Sequence, residues 1–125
     1  IENGLLDLLG NSGVGAICFS PLAQGILTDK YINGLPEDSR AVKDSPFLNT
    51  EKVLEMLPKI KQLNEIAKNR NQTLAQMAIS WILKDDRITS VLIGASKTEQ
   101  ILDSVKAIEN TSFSEEELAQ INAIS

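Results

Sequence analysis

Two short segments carry residue types whose spacing suits chemistry. The first is Gly94-Ala95-Ser96, set between an apolar run and a helical pattern, with Lys97 next and Gln100 about one turn on. Small residues let a ligand approach the backbone. The uncapped N–H groups of a helix start, with the positive end of its dipole, attract an anion. Lys97 would add a formal charge. The alternative reading is a glycine turn in which Ser96 caps a helix and nothing more. The second segment is Ser20-Pro21-Leu22-Ala23-Gln24-Gly25-Ile26-Leu27, with Lys30 and Arg40 downstream. It follows an apolar run, at the carboxyl end where α/β proteins place ligands. Its alternative is a plain turn with two solvated charges.

Other chemistry is excluded or weak. The 125 residues include no His, so no Ser-His-Asp or Cys-His relay can be built within this chain. Cys18 is the single cysteine, which leaves no internal disulfide and no cysteine zinc site; in an apolar strand it is expected to be buried and inert. Asp85-Asp86 lacks a third metal ligand and reads as a solvated helix exit. Gly13-Val14-Gly15 precedes its strand and lacks the third glycine of a dinucleotide fingerprint. We therefore expect no metal site. With 12 Lys+Arg against 17 Asp+Glu, a net charge of -5 and no basic block, nucleic acid and anionic membrane surfaces are poor partners. No apolar run approaches the roughly 18 residues of a membrane span. The chain opens at Ile1 without a signal-peptide pattern, so a cytoplasmic location is expected.

The elements that must position these segments follow from periodicity. Leu5, Leu6, Leu8 and Leu9 read as the end of a helix stopped at Gly10. Residues 14–19 form a continuous apolar run suited to a strand buried on both faces. Residues 20–49, rich in Pro and Gly, read as a long loop with one helical turn. From Thr50, Val53, Met56, Leu57, Ile60, Leu63 and Ile66 recur at helical spacing. Pro58 implies a kink there, or two helices with the second starting at Pro58. Asn69-Arg70-Asn71 ends the pattern. Thr73 and Gln76 have capping-box spacing ahead of a stripe of Leu74, Met77, Ala78, Trp81 and Ile82. Val91-Leu92-Ile93 is a second buried strand. Ser96 with Glu99, and Ser114 with Glu117, would cap two further helices. The first turns Ile101, Leu102, Val105 and Ile108 inward, the second Leu118, Ile121 and Ile124. Strands alternating with helices predict a parallel α/β fold. A two-stranded parallel sheet cannot cover itself, so the chain reads as a slice of a larger barrel or doubly wound sheet.

At the two loops the sequence resembles the aldo-keto reductase family. Residues 19–28, followed by Lys30-Tyr31, resemble the family's loop after strand seven. Val91-Leu92-Ile93-Gly94-Ala95-Ser96-Lys97 with Glu99-Gln100 resembles its strand-eight cofactor signature, and residues 75–81 the helix between them. The motifs are most similar to the bacterial glyceraldehyde-3-phosphate-type reductases and to the β-subunits of voltage-gated potassium channels. The resemblance implies a (β/α)8 TIM barrel, of which residues 1–125 are one partial domain: strands seven and eight, their helices and a C-terminal helix. It implies NADPH as cofactor and reduction of a small aldehyde or ketone by hydride transfer. By position, Ser20, Pro21, Leu22, Gln24 and Gly25 would line the pyrophosphate, with Lys30 and Arg40 near phosphates. Gly94, Ser96 and Lys97 would hold the 2′-phosphate end, and Gln100 and Asp103 would flank the adenosine. Asp103 stands where Glu is usual, Ser104 where Asn is frequent and Asp29 where Gly is frequent. The family's catalytic Asp, Tyr, Lys and His map to no residue here, and Tyr31 sits in the cofactor loop. No catalytic residue is assigned, and this chain alone is expected to be inactive.

Three readings follow. The first is the cofactor-binding C-terminal part of an NADPH-dependent oxidoreductase. The second is a non-catalytic nucleotide-binding or interaction module, similar to a channel β-subunit or a free half-barrel. The third is a structural piece without ligand. In each, the remainder of a barrel or a second copy is needed to cover the sheet edges.

Overall fold

Ala16–Phe19 (β1) and Ile88–Leu92 (β2) pair in parallel, with Cys18 beside Val91 and Phe19 beside Leu92. Parallel strands require a crossover. The computed structural model describes residues 3–33 and 50–124, and within them the crossover holds two helices, Thr50–Asn69 (α2) and Leu74–Leu83 (α3). A short helix, Leu5–Asn11 (α1), precedes β1. After β2 come Thr98–Val105 (α4), a 3₁₀ turn at Lys106–Glu109, and Glu115–Ile124 (α5). Among the described residues no helix is long and apolar enough to cross a membrane.

The core lies among α2, α3 and α5. Val53, Ile60, Ile66 and Ala67 of α2 meet Leu74 and Met77 of α3 and Ile121 of α5. Trp81 packs partly buried against them, as its place in the apolar stripe predicts. Ile26 and Tyr31 enter the same core from the segment after β1. Two of the three expected capping boxes form. Thr73 Oγ1 accepts the Gln76 N–H at 3.1 Å while Gln76 Oε1 accepts the Thr73 N–H at 3.0 Å. Ser114 and Glu117 do the same across α5, at 3.1 and 2.8 Å.

Several expectations need correcting. α2 runs through Pro58 as one helix rather than two. Pro58 is exposed, so its lost hydrogen bond faces water, while the buried stripe on both sides of it holds the helix together. Glu99 does not close a box with Ser96. Instead α4 begins at Thr98, and Gln100 Oε1 accepts the N–H groups of Ser96 and Lys97 at 2.9 and 3.2 Å. The side chain one position further on reaches back over the turn. β1 is shorter than the apolar run, and β2 begins earlier and ends before Ile93. Neither strand is buried on both faces: Ile17, Phe19 and Leu92 stand exposed, and Cys18 is only half-buried. Helix α3 packs on β2, and the opposite face of the pair meets no second layer among the described residues. Ile101, Leu102, Val105 and Ile108 are likewise exposed rather than inward. The side of α4 that meets α3 is the one bearing Asp103, a polar contact. The segment after β1 contains two 3₁₀ turns, Ala23–Gly25 and Asp29–Tyr31, where one helical turn was expected. α1 continues through Gly10 to Asn11. At Gly10 a side chain would press on Arg87, which pairs with Asp7 of α1.

Candidate functional site

The parallel register decides which segments meet. Phe19 and Leu92 are the last pair, so Ser20 and Ile93 leave the sheet side by side, on strands about 4.8 Å apart. Both segments singled out for chemistry therefore start from one end of the sheet. That end is where the strand–loop–helix geometry presents backbone and side chains to a ligand.

The segment after β1 is held in an unusual conformation. Four non-glycine residues among those described have positive φ, and three of them are here: Ser20 (55°), Ala23 (46°) and Gln24 (62°). Each costs on the order of 1–3 kcal/mol and persists only where the surroundings impose it, a state that clusters at ligand sites. Gly25, at φ 96°, takes the one position where a side chain would be strained most. Local bonds impose the shape: Ala23 N–H to Ser20 O at 3.1 Å, Gly25 N–H to Leu22 O at 2.8 Å, and Thr28 Oγ1 donating to Gly25 O at 2.7 Å. Buried Ile26 and Tyr31 pin the segment to the core. Pro21, Leu22, Gln24 and Gly25 are partly exposed above that anchor, and Lys30 is exposed, its ammonium 6.0 Å from the Tyr31 ring centre. Tyr31 itself is 1% exposed, which withholds its hydroxyl from any substrate. Arg40 lies outside the described residues.

Across the sheet, Gly94, Ser96, Lys97 and Gln100 are all exposed at the start of α4. Lys97 takes the N-cap position in an extended conformation, is exposed, and its side chain makes no cap bond. Gln100 Oε1 gathers the Ser96 and Lys97 N–H groups and lies 3.3 Å from Ser96 Oγ. An acceptor oxygen thus already occupies the position where an anion would receive the same donors. Asp103 is not brought to this group. Its carboxylate turns to α3, taking a bond from Gln76 Nε2 at 2.7 Å and one from Thr73 Oγ1 at 3.3 Å. Among the described residues no cluster of three or more His, Cys, Asp or Glu side chains is arranged to bind a metal.

Sequence reasoning missed two things. Phe19, 78% exposed, presents a bare aromatic ring beside the strained segment. Its place inside an apolar run concealed it. The other is a buried polar network behind α4. Arg70, in what read as a helix break, has a side chain 3% exposed and stacks 3.7 Å from the Phe113 ring centre. Its guanidinium donates to Glu117 at 2.8 Å, Gln72 at 3.0 Å and the Asn110 carbonyl at 3.2 Å. Gln72 in turn donates to Ser80 Oγ, which donates to the Ala107 carbonyl at 2.7 Å. The Glu117 carboxyl, though burial pushes it up, is held below its ordinary value by the Ser114 N–H and Arg70. No periodic signal announces such a network, because its members are polar and Arg70, Gln72 and Asn110 lie in the connections between helices.

With this geometry in hand, comparison with known proteins is informative. The aldo/keto reductase family model matches residues 1–125. The chain belongs to the aldo/keto reductase family. L-glyceraldehyde 3-phosphate reductase of Escherichia coli (strain K12) is 53% identical over 97% of this chain and 36% of its own length. A Schizosaccharomyces pombe protein named as a voltage-gated potassium channel subunit beta is 39% identical over 86% of the chain and 33% of its length. The glycerol dehydrogenase of Gluconobacter oxydans superposes with a TM-score of 0.76 at 24% identity, covering 99% of this chain and 38% of that one. A Bacillus halodurans aldo-keto reductase in its holo form gives 0.66 at 22% identity, covering 96% and 36%. These likenesses, together with the family, identify an α/β fold of the TIM-barrel type. The chain spans about a third of the length of the relatives it matches.

Proposed function

We propose that residues 1–125 are the C-terminal, cofactor-gripping part of an NADPH-dependent aldo-keto reductase. In this reading the two strands are the last two of the barrel, and the complete protein reduces a small aldehyde or ketone in the cytoplasm. The observation that carries it is the meeting, at the carboxyl ends of adjacent parallel strands, of a strained loop and an exposed helix start bearing Ser96 and Lys97. The donor set fits the cofactor. The Lys97 ammonium suits a 2′-phosphate, as do the Ser96 hydroxyl and the Ser96 and Lys97 N–H groups once a phosphate oxygen takes the place of Gln100 Oε1. Ser20, Pro21, Leu22, Gln24 and Gly25, with Lys30 and Arg40, suit the pyrophosphate, and Gln100 the adenosine side. When bound, NADPH supplies hydride to the carbonyl. This chain's residues bind and orient; none donates the proton, since Tyr31 is locked in the core. The identity to a reductase named for L-glyceraldehyde 3-phosphate supports a small phosphorylated aldehyde as substrate class.

The test is NADPH oxidation by the full-length protein with glyceraldehyde 3-phosphate, alongside the 125-residue chain alone. We expect turnover by the first and none by the second. Turnover by the short chain would contradict the placing of the proton donor elsewhere. A second reading, a nucleotide-binding module without catalysis, is favoured by the 39% identity to the channel-subunit protein. It predicts NADPH binding by the full-length protein with no carbonyl-dependent oxidation.

A further inference from the structure

We propose that Gln76 is a positioning residue for the cofactor-binding end of α4, acting through Asp103; the inference rests on the reading of Ser96 and Lys97 given above. Gln76 is buried, 7% exposed, and touches none of the site residues at the mouth of the sheet except through Asp103. Its Oε1 completes the capping box on α3 by accepting the Thr73 N–H. A box needs nothing more, and Glu would serve as well as Gln. The surplus is the amide nitrogen. Nε2 donates to Asp103 Oδ1 at 2.7 Å and to the Asp103 carbonyl at 3.2 Å, while Thr73 Oγ1 lies 3.3 Å from Asp103 Oδ2. Both carboxylate oxygens of Asp103 are thereby tied to the start of α3, where the helix dipole also favours a negative charge.

Asp103 lies one turn beyond Gln100, whose carbonyl oxygen gathers the Ser96 and Lys97 N–H groups. A connected path thus runs from the α3 cap through Asp103 and α4 to the proposed 2′-phosphate donors. Within this chain apolar packing does little to fix α4, because Ile101, Leu102 and Val105 are exposed. The helix is held on α3 by this clamp, by the Ser80 bond to Ala107 O, and by buried Ala107. Gln rather than Glu at position 76 is what the clamp demands, since two carboxylates would otherwise face each other. Asp103 then serves the site by holding the helix.

The experiment measures Kd for NADPH and for NADH in the full-length protein, with thermal midpoints for each variant. Gln76→Glu should weaken NADPH about tenfold and NADH by no more than about threefold, the size of effect that outer-shell partners exert. Adding Asp103→Asn restores a donor–acceptor pair with the roles exchanged, and should return the NADPH preference to within about threefold of the parent. Loss of both cofactors in equal proportion, or an unchanged preference, overturns the positioning role. If Gln76→Glu does not fold, Gln76→Met, which removes the amide without adding charge, is read by the same ratio. A parent protein with no preference for NADPH would instead overturn the 2′-phosphate reading, and the inference with it.

Discussion

The molecule has two contrasting halves. Between α2, α3 and α5, side chains are buried whether apolar or polar: Val53 and Ile60 are fully enclosed, and Arg70, Gln72, Gln76 and Ser80 are buried with their hydrogen bonds satisfied. On the free face of the sheet and along α4 the rule is inverted, with Ile17, Phe19, Leu92, Leu102 and Ile108 standing in water. Large apolar side chains left bare in such numbers mark surfaces that another chain segment covers. The contrast locates what this chain does for itself and what it leaves to others. It builds and braces the end of α4 internally, by polar contacts that need no further chain. The apolar surfaces on the other side are where the remaining barrel, or a second copy, would pack.

The largest expected effect lies on the exposed half. In the full-length protein Ile17→Ala should lower stability by about 3 kcal/mol, the cost of a cavity at a buried isoleucine. Denaturant unfolding checks this, and a change below about 0.5 kcal/mol, typical of a surface site, would mean that the face stays open. On the buried half Arg70→Ala should cost a similar or slightly smaller amount, about 2–3 kcal/mol, because it removes the guanidinium's bonds to Glu117, Gln72 and the Asn110 carbonyl and leaves a cavity beside Phe113. The same pair sets a pH dependence. The Glu117 carboxyl is held below its ordinary value, so its contribution is complete above about pH 4.3 and is lost as pH falls through the lower folded value. Arg70→Ala should flatten that acid limb; an identical limb in parent and variant would assign it to other carboxylates.

How much of this was legible in the sequence differs between the halves for the same reason. The α2 and α3 stripes, two capping boxes and both strands were readable, since periodicity and caps are local signals. The parallel run of the two strands followed from the α/β alternation, but the register that sets Phe19 beside Leu92 and joins the two candidate segments did not. Burial of Ile101 and Val105 did not follow, because an apolar helical face reports that a partner is required and not that this chain supplies it. Arg70 was illegible for the opposite reason: a charged residue at a helix end is ordinarily solvated, and only the approach of Phe113, Asn110 and Glu117 from later in the chain encloses it. Asp103 was read as facing the adenosine by resemblance, whereas its bonds to Thr73 and Gln76 depend on how α3 and α4 pack. The box partner of α4 was misread by one residue, Gln100 in place of Glu99, a boundary error of the usual size.

The central claim is that the exposed start of α4 grips a 2′-phosphate. It is tested most directly by measuring NADPH and NADH affinity of the full-length protein carrying Lys97→Glu. Reversing a charge at the mouth of the helix should weaken NADPH at least about tenfold, equivalent to about 1.4 kcal/mol, with NADH changed by less than about threefold. An equal loss for both cofactors would contradict the account.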